Sequence, residues 1–162
     1  MPRASRAARR SGSAASVAAT TARPERAAPS LPRITRAVVA ATDAADPERL
    51  AALEARGITV LRCKAHEGRV EVGDLVARLG ALDVSSVLVE GGGQLAGAFL
   101  DAGLVDRIVA FGAPILLGGD AAPGPVAGSG LPLPEGIRLE GVSVRSVGAD
   151  WVVEASVRRG AH

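Results

Sequence analysis

The amino-acid sequence predicts an α/β fold with a mostly parallel sheet and a C-terminal antiparallel hairpin. From residue 36 onward, short apolar runs alternate with segments of helical periodicity, which is the pattern of successive βαβ units. The segment 86–89 carries apolar side chains on both of its faces, as a central parallel strand does. Two alternating segments, 137–147 and 151–157, are joined by a short glycine-containing turn that favours a hairpin.

Length and composition favour one folded domain behind an N-terminal tail. The chain has 162 residues, of which 48% are hydrophobic. Residues 1–35 are rich in Ala, Arg and Ser and lack hydrophobic periodicity, so we expect them to be disordered and the domain to span 36–162. A targeting segment and a misassigned gene start are the alternatives that stay open for residues 1–35.

The charge distribution argues against nucleic acid as a partner. Eight arginines and a single acid lie within residues 1–36, whereas the whole chain carries a net charge of only +2, so the rest of the chain is acidic. The sequence contains two Phe, one Trp and no Tyr, which are too few for a platform on which bases stack.

Membrane and metal partners are not expected either. Gly, Asp and Arg interrupt every apolar run before it reaches the roughly 18 residues of a membrane helix, so we expect a soluble, cytoplasmic protein. Cys63 is the single cysteine, which excludes an internal disulfide, and together with two histidines it cannot form a Cys-rich zinc site.

The first predicted βαβ unit runs from a strand at residues 37–41 to a strand at residues 58–61. Between them, Asp46 is suited to cap a helix that begins with Pro47, because a carboxylate accepts from the first amides and proline needs no amide partner there. Gly57 is expected to end this helix in the left-handed conformation.

The remaining elements follow the same alternation. Apolar residues at helical spacing predict a helix over 72–82. It is followed by the strand 86–89, a short helix over 93–102 and a strand over 105–111. Residues 118–136 are dense in Gly and Pro and form a loop long enough to suggest a functional role.

The junction between the strand 86–89 and the following helix is the candidate ligand site. Glu90 ends the strand, and Gly91, Gly92 and Gly93 lead into the helix. Glycines let a phosphate approach the backbone, and a helix start supplies unpaired amides and a positive dipole end. The glycine spacing differs from a dinucleotide fingerprint, so a tight strand-to-helix connection is an equal alternative. Glu90 likewise fits a hydrogen-bond acceptor for a polar ligand edge or a solvated strand-end acid.

Three motifs in order resemble a known family. Residues 87–93 (VLVEGGG), 100–107 (LDAGLVDR) and 113–119 (APILLGG) resemble the C-terminal part of the reductase domain of the bacterial riboflavin-biosynthesis bifunctional deaminase-reductase. The resemblance extends from about residue 38 to residue 157. It implies a three-layer α/β/α fold of the dihydrofolate reductase-like superfamily. The N-terminal strands of that fold, with their S-L-D-G and G-x-x-T-V-x-x-D-D-P motifs, are expected to be missing, as is the zinc deaminase domain.

The resemblance also implies an activity. A reductase of this type uses NADPH to reduce a small phosphorylated ribosylamino-pyrimidine, 5-amino-6-(5-phosphoribosylamino)uracil, to its ribitylamino product. On this mapping Glu90 contacts the substrate. The NADP-binding turn and helix start comprise Gly91, Gly92, Gly93, Gln94, Leu95, Ala96, Gly97 and Ala98. No catalytic proton donor is assigned.

Two other functions stay open. One is a non-catalytic remnant or binding module that forms a homodimer through its C-terminal strands, because loss of N-terminal strands would expose an apolar sheet edge. The other is a dihydrofolate reductase-like enzyme that reduces a different, pterin-type substrate. The sequence leaves the substrate, the oligomeric state and the activity of the shortened domain undecided.

Overall fold

The computed structural model describes residues 15–17, 36–116, 118–119 and 124–158, and of residues 15–17 it describes the backbone. The chain divides into two units, Met1–Leu88 and Val89–His162. The predicted disordered segment, residues 1–35, lies outside the described residues apart from 15–17.

The first unit contains a three-stranded sheet in the order β1-β2-β3. β1 (Ala15–Val17) pairs antiparallel with β2 (Val38–Ala41), and β2 pairs parallel with β3 (Thr59–Arg62). Helix α1 (Pro47–Glu54) connects the two parallel strands, so the predicted βαβ unit is confirmed.

The ends of α1 have the local chemistry that the sequence predicts. Asp46 Oδ1 accepts hydrogen bonds from the backbone amides of Glu48, at 2.9 Å, and Arg49, at 3.4 Å. Pro47 occupies the first helical turn, and Gly57 adopts a φ of +77° beyond the C-terminus. These caps satisfy backbone groups that a short helix otherwise leaves to water.

A small hairpin and a second helix complete the first unit. Strands β4 (Ala65–His66) and β5 (Arg69–Val70) pair antiparallel, and α2 (Val72–Gly80) follows them. The sequence did not predict this hairpin. The predicted end of α2 at residue 82 is two residues too late, because the chain leaves the helix after Gly80 and Asp83 takes a left-handed φ of +62°.

The core of the first unit lies between the sheet and α2. Leu75 and Leu79 are each only 1% exposed and occupy one face of α2, where their spacing of four residues aligns them. They belong to one buried cluster with three residues of the strands and of the chain after β3, namely Val38, Ala40 and Cys63.

The second unit is built on an antiparallel sheet in the order β6-β8-β7. Helix α3 (Gly93–Asp101) precedes β6 (Arg107–Gly112), and a 3-10 turn (Leu133–Glu135) lies in the long loop that follows. β7 (Leu139–Val147) and β8 (Asp150–Val157) form the predicted hairpin, which is confirmed. Gly148 turns the chain between them with a φ of +63°.

One cross-strand pair between β6 and β8 is packed especially closely. Gly112 lies opposite Trp151, and the indole ring covers the glycine so closely that a Cβ at residue 112 would overlap it. An aromatic ring over a cross-strand glycine replaces the packing that the glycine lacks.

The predicted central strand at residues 86–89 is wrong. Residues 84–90 form no strand within the described part of the chain. The side chains still alternate, with Val87 and Val89 partly buried and Leu88 74% exposed. Alternating burial is compatible with a strand, but a strand also requires a neighbour that pairs with its backbone, which a hydrophobic pattern does not supply.

Candidate phosphate-binding turn

The turn before α3 has the backbone geometry of a glycine-only site. Gly92 is the N-terminal capping residue of α3 and has φ +81° and ψ 173°. Residues with a Cβ essentially never adopt this region of conformational space without strain. The requirement for glycine at position 92 is therefore set by the backbone.

The space in front of Gly92 is open. Apart from the adjacent residues of the chain, a Cβ built on this residue would meet no atom within 4 Å. Gly92 has no side chain with which to cap the helix, and no acidic residue lies in the first turn of α3. The positive end of the helix therefore faces no carboxylate of its own first turn, which is the electrostatic situation that an anion requires.

The other three glycines of this stretch serve packing within the chain. A Cβ on Gly91 would overlap the side chain of Leu95, and one on Gly97 would overlap the carbonyl oxygen of Ala127. A Cβ on Gly93 would come within 2.8 Å of the carbonyl oxygen of Gly124. Gly92 is thus the glycine whose missing side chain leaves space for a ligand.

The remaining predicted cofactor residues belong to the first two turns of α3. The amide of Ala96 donates to the carbonyl oxygen of Gly92 at 3.0 Å and closes the first turn. Gln94 is exposed, whereas Leu95, Ala96 and Ala98 are partly buried.

Glu90 is exposed and lies two residues before Gly92. A carboxylate accepts hydrogen bonds and repels phosphate, so a ligand that touched both residues would present a hydrogen-bond donor to Glu90 and an anionic group to the turn. The two predicted contacts are two residues apart in the sequence. Their roles in binding stay predictions.

Sequence reasoning missed one part of this site. Residues 124–128 of the long loop lie along α3, and the amide of Ala127 donates to the carbonyl oxygen of Gly93 at 2.9 Å. The length of the loop was the one signal in the sequence that pointed to a role for these residues.

Two carboxylates elsewhere in the structure, Asp74 and Glu154, are hydrogen-bonded to neighbouring groups. Arg78 and the backbone amide of Lys64 bond Asp74 and hold the pKa of its carboxyl below the usual value. Hydrogen bonds from Arg145 and Arg107 lower the pKa of Glu154 in the same way. Both carboxylates therefore form ion pairs with arginines, which gives them a structural role.

Within the described residues, no group of three His, Cys, Asp or Glu side chains is arranged to hold a metal ion. The described helices are all too short or too polar to cross a membrane.

Comparison with known proteins identifies the family. Residues 12–153 match the family described as the RibD C-terminal domain. Over 117 residues the chain is 33% identical to riboflavin biosynthesis protein RibD of Actinobacillus pleuropneumoniae, covering 72% of this chain and 31% of that protein. Over 122 residues it is 34% identical to the 2,5-diamino-6-ribosylamino-4(3H)-pyrimidinone 5′-phosphate reductase of Methanothermobacter thermautotrophicus, covering 75% of this chain and 55% of that protein.

A solved structure of a RibD protein resembles the fold of this chain. RibD of Acinetobacter baumannii aligns with 83% of this chain and 36% of its own, at a TM-score of 0.58 and 21% identity. This likeness confirms the predicted α/β fold class. The chain spans about a third to about half of the length of the curated relatives described above. Because the family match covers most of its residues, the chain belongs to the RibD C-terminal domain family.

Proposed function

We propose that this chain is an NADPH-dependent reductase domain of riboflavin biosynthesis. Its proposed reaction reduces 5-amino-6-(5-phosphoribosylamino)uracil to the ribitylamino product. Membership of the RibD C-terminal domain family supports the reaction class. The observation that carries the proposal for this chain is the open glycine turn at Gly92, which leads into the start of α3.

The residues of this turn fit the phosphates of a dinucleotide. Gly92 leaves the approach free, and the first amides of α3 lack acceptors within the helix because no carbonyl precedes them at the required spacing. Within the predicted segment 91–98, the backbone at the start of α3 would hold the pyrophosphate, assisted by the helix dipole, and the residues from Ala96 onward would support this turn. When bound, NADPH supplies the hydride that reduces the sugar C1′ of the substrate.

Glu90 is proposed to orient the substrate. Its exposed carboxylate can accept hydrogen bonds from N–H groups of a pyrimidine, while the helix start holds the anionic cofactor. No residue is assigned as a proton donor, so the proposed work of the protein is to bind and to position the two reactants.

Two related substrates are candidates: the uracil compound, which the resemblance in the sequence implies, and the compound in the name of one relative. The name of the Methanothermobacter protein specifies a diamino-pyrimidinone phosphate, which has an amino group at the ring position where the uracil compound has an oxygen. Both are phosphorylated ribosylamino-pyrimidines. Assays with each compound would show which of them the chain prefers.

A homodimer through the C-terminal sheet is the proposed assembly. All nine residues of β7 are exposed, including Val142, Val144 and Val147, and β7 lies at one edge of its sheet. A long edge strand with exposed valines favours pairing with another strand. Light scattering after size-exclusion chromatography tests this proposal: Val144→Lys should shift the mass from dimer to monomer, and a monomeric wild-type chain would contradict it.

The central experiment measures cofactor binding and turnover by the full chain. We expect NADPH to bind in calorimetry, and either substrate to be consumed with oxidation of NADPH. Glu90→Gln keeps the size of the side chain and removes its charge, so it should raise the KM for the substrate without weakening the binding of NADPH. A folded wild-type chain that bound no NADPH at millimolar concentration would reject the proposed cofactor. Binding without turnover would favour the non-catalytic module instead.

A further inference from the structure

The segment 124–128 follows one face of α3 for two helical turns. Gly124 lies beside Gly93, Ala127 beside Gly97, and Gly128 beside Asp101, where a Cβ on Gly128 would be 3.3 Å from the carboxylate. Gly93, Gly97 and Asp101 are spaced four residues apart and therefore share a face of the helix.

Two glycines make this contact close. At Gly93 the helix accepts a hydrogen bond from the amide of Ala127 at 2.9 Å. At Gly97, which is buried, the carbonyl of Ala127 occupies the place where any other residue would carry its Cβ. The segment thus packs with its backbone against the helix, and even one methyl group at residue 97 would force it away.

The line of contacts begins at the start of the helix, directly beside Gly92. The space in front of Gly92 is the proposed approach for phosphate, and residues 124–134 contain no charged side chain, so nothing in this stretch repels an anion. A neutral wall beside the helix start would limit access of water and strengthen hydrogen bonds between amides and phosphate.

We propose that residues 124–128 form a wall of the dinucleotide site, and that Gly97 is a positioning residue that holds this wall against α3 without touching the ligand. The inference rests on the proposed function, because the wall matters only if the turn at Gly92 binds the phosphates of NADPH. It assigns a binding role to a segment that lies about 30 residues beyond the glycine turn in the sequence.

The test is Gly97→Ala in the full chain, with Gly80→Ala as the matched control. Gly80 is also helical, but a Cβ there meets no atom within 4 Å. Both substitutions improve helix propensity, so a shared effect on α-helical stability cancels in the comparison. We expect Gly97→Ala to remain folded, to exchange the amide hydrogen of Ala127 at least about tenfold faster, and to bind NADPH about tenfold more weakly. Gly80→Ala should bind NADPH like the wild type.

A second measurement does not depend on any variant. Saturating NADPH should slow hydrogen exchange of the amides at 126–128 in the wild-type chain. Unchanged exchange on binding, or unchanged NADPH affinity in a Gly97→Ala protein whose Ala127 amide is exposed, would overturn the inference. A wild-type chain that bound no NADPH would instead overturn the proposed function, and the wall with it.

Discussion

Replacement of Gly92 by alanine tests the phosphate turn most directly. The residue has φ +81° and ψ 173°, a conformation in which a Cβ is strained, and no protein atom lies within 4 Å of the position that the Cβ would take. The substitution therefore strains the backbone without a clash inside the protein. Its methyl group enters the space through which a phosphate would reach the amides of α3.

Both consequences have an expected size. The strained conformation should lower the free energy of unfolding by about 1–3 kcal/mol. If the methyl group displaces a phosphate oxygen from one amide, the lost charged hydrogen bond corresponds to about 1.5–3 kcal/mol of binding free energy. At about 1.4 kcal/mol for each factor of ten, the affinity for NADPH should fall roughly 10- to 150-fold.

The control is Gly103→Ala at the other end of the same helix. Gly103 also has a positive φ, +65°, and open space around a built Cβ. Urea unfolding and calorimetric titration with NADPH of both variants separate strain from lost binding: both should lose stability, and only Gly92→Ala should lose affinity. Equal affinities in the two variants would refute the assignment of the phosphates to this turn.

Further predictions concern stability and local chemistry. Leu75→Ala should lower the free energy of unfolding by about 2–5 kcal/mol in urea titrations, because the leucine is 1% exposed and its removal leaves a cavity. The arginine partners of Glu154 lower its pKa, so their stabilisation is present at neutral pH and is lost as the pH falls through the lowered pKa. Glu154→Gln should therefore show a weaker loss of stability in acid than the wild type. Burial raises the pKa of the Cys63 thiol, so a thiol reagent should modify the folded chain much more slowly than the urea-unfolded chain, and equal rates would contradict its burial. Gly112→Ala should displace the ring of Trp151, the single tryptophan, and shift its fluorescence emission, whereas an unchanged spectrum would contradict the contact.

The elements that were predicted correctly depend on interactions between near neighbours in the sequence. Asp46 and Pro47 start α1, and Gly57 turns the chain after it, because each acts on backbone groups a few residues away. The C-terminal hairpin depends on alternation and on the turn at Gly148. The same local logic applies to the missed hairpin, where Glu67 and Gly68 both have positive φ, but its two-residue strands are too short to show alternation.

The segment 86–89 shows where such logic fails. Its side chains alternate as in a strand, yet residues 84–90 pair with no strand in the described ranges. Composition reports how apolar a segment is, whereas a strand exists only when another backbone supplies donors and acceptors. The pattern of one segment does not show whether another segment will pair with it.

The same distinction between local and long-range interactions applies to the candidate site. The sequence shows that three glycines follow Glu90 and predicts a helix after them, because the conformational freedom of glycine and the start of a helix are local properties. The role of each glycine depends on the residues that pack against it. Gly92 leaves open space, while Gly97 admits the carbonyl of Ala127, which lies 30 residues further along the chain. The packing of one backbone against another depends on distances that no local pattern encodes, and those distances separate the glycine that a ligand can approach from the glycines that the fold itself requires.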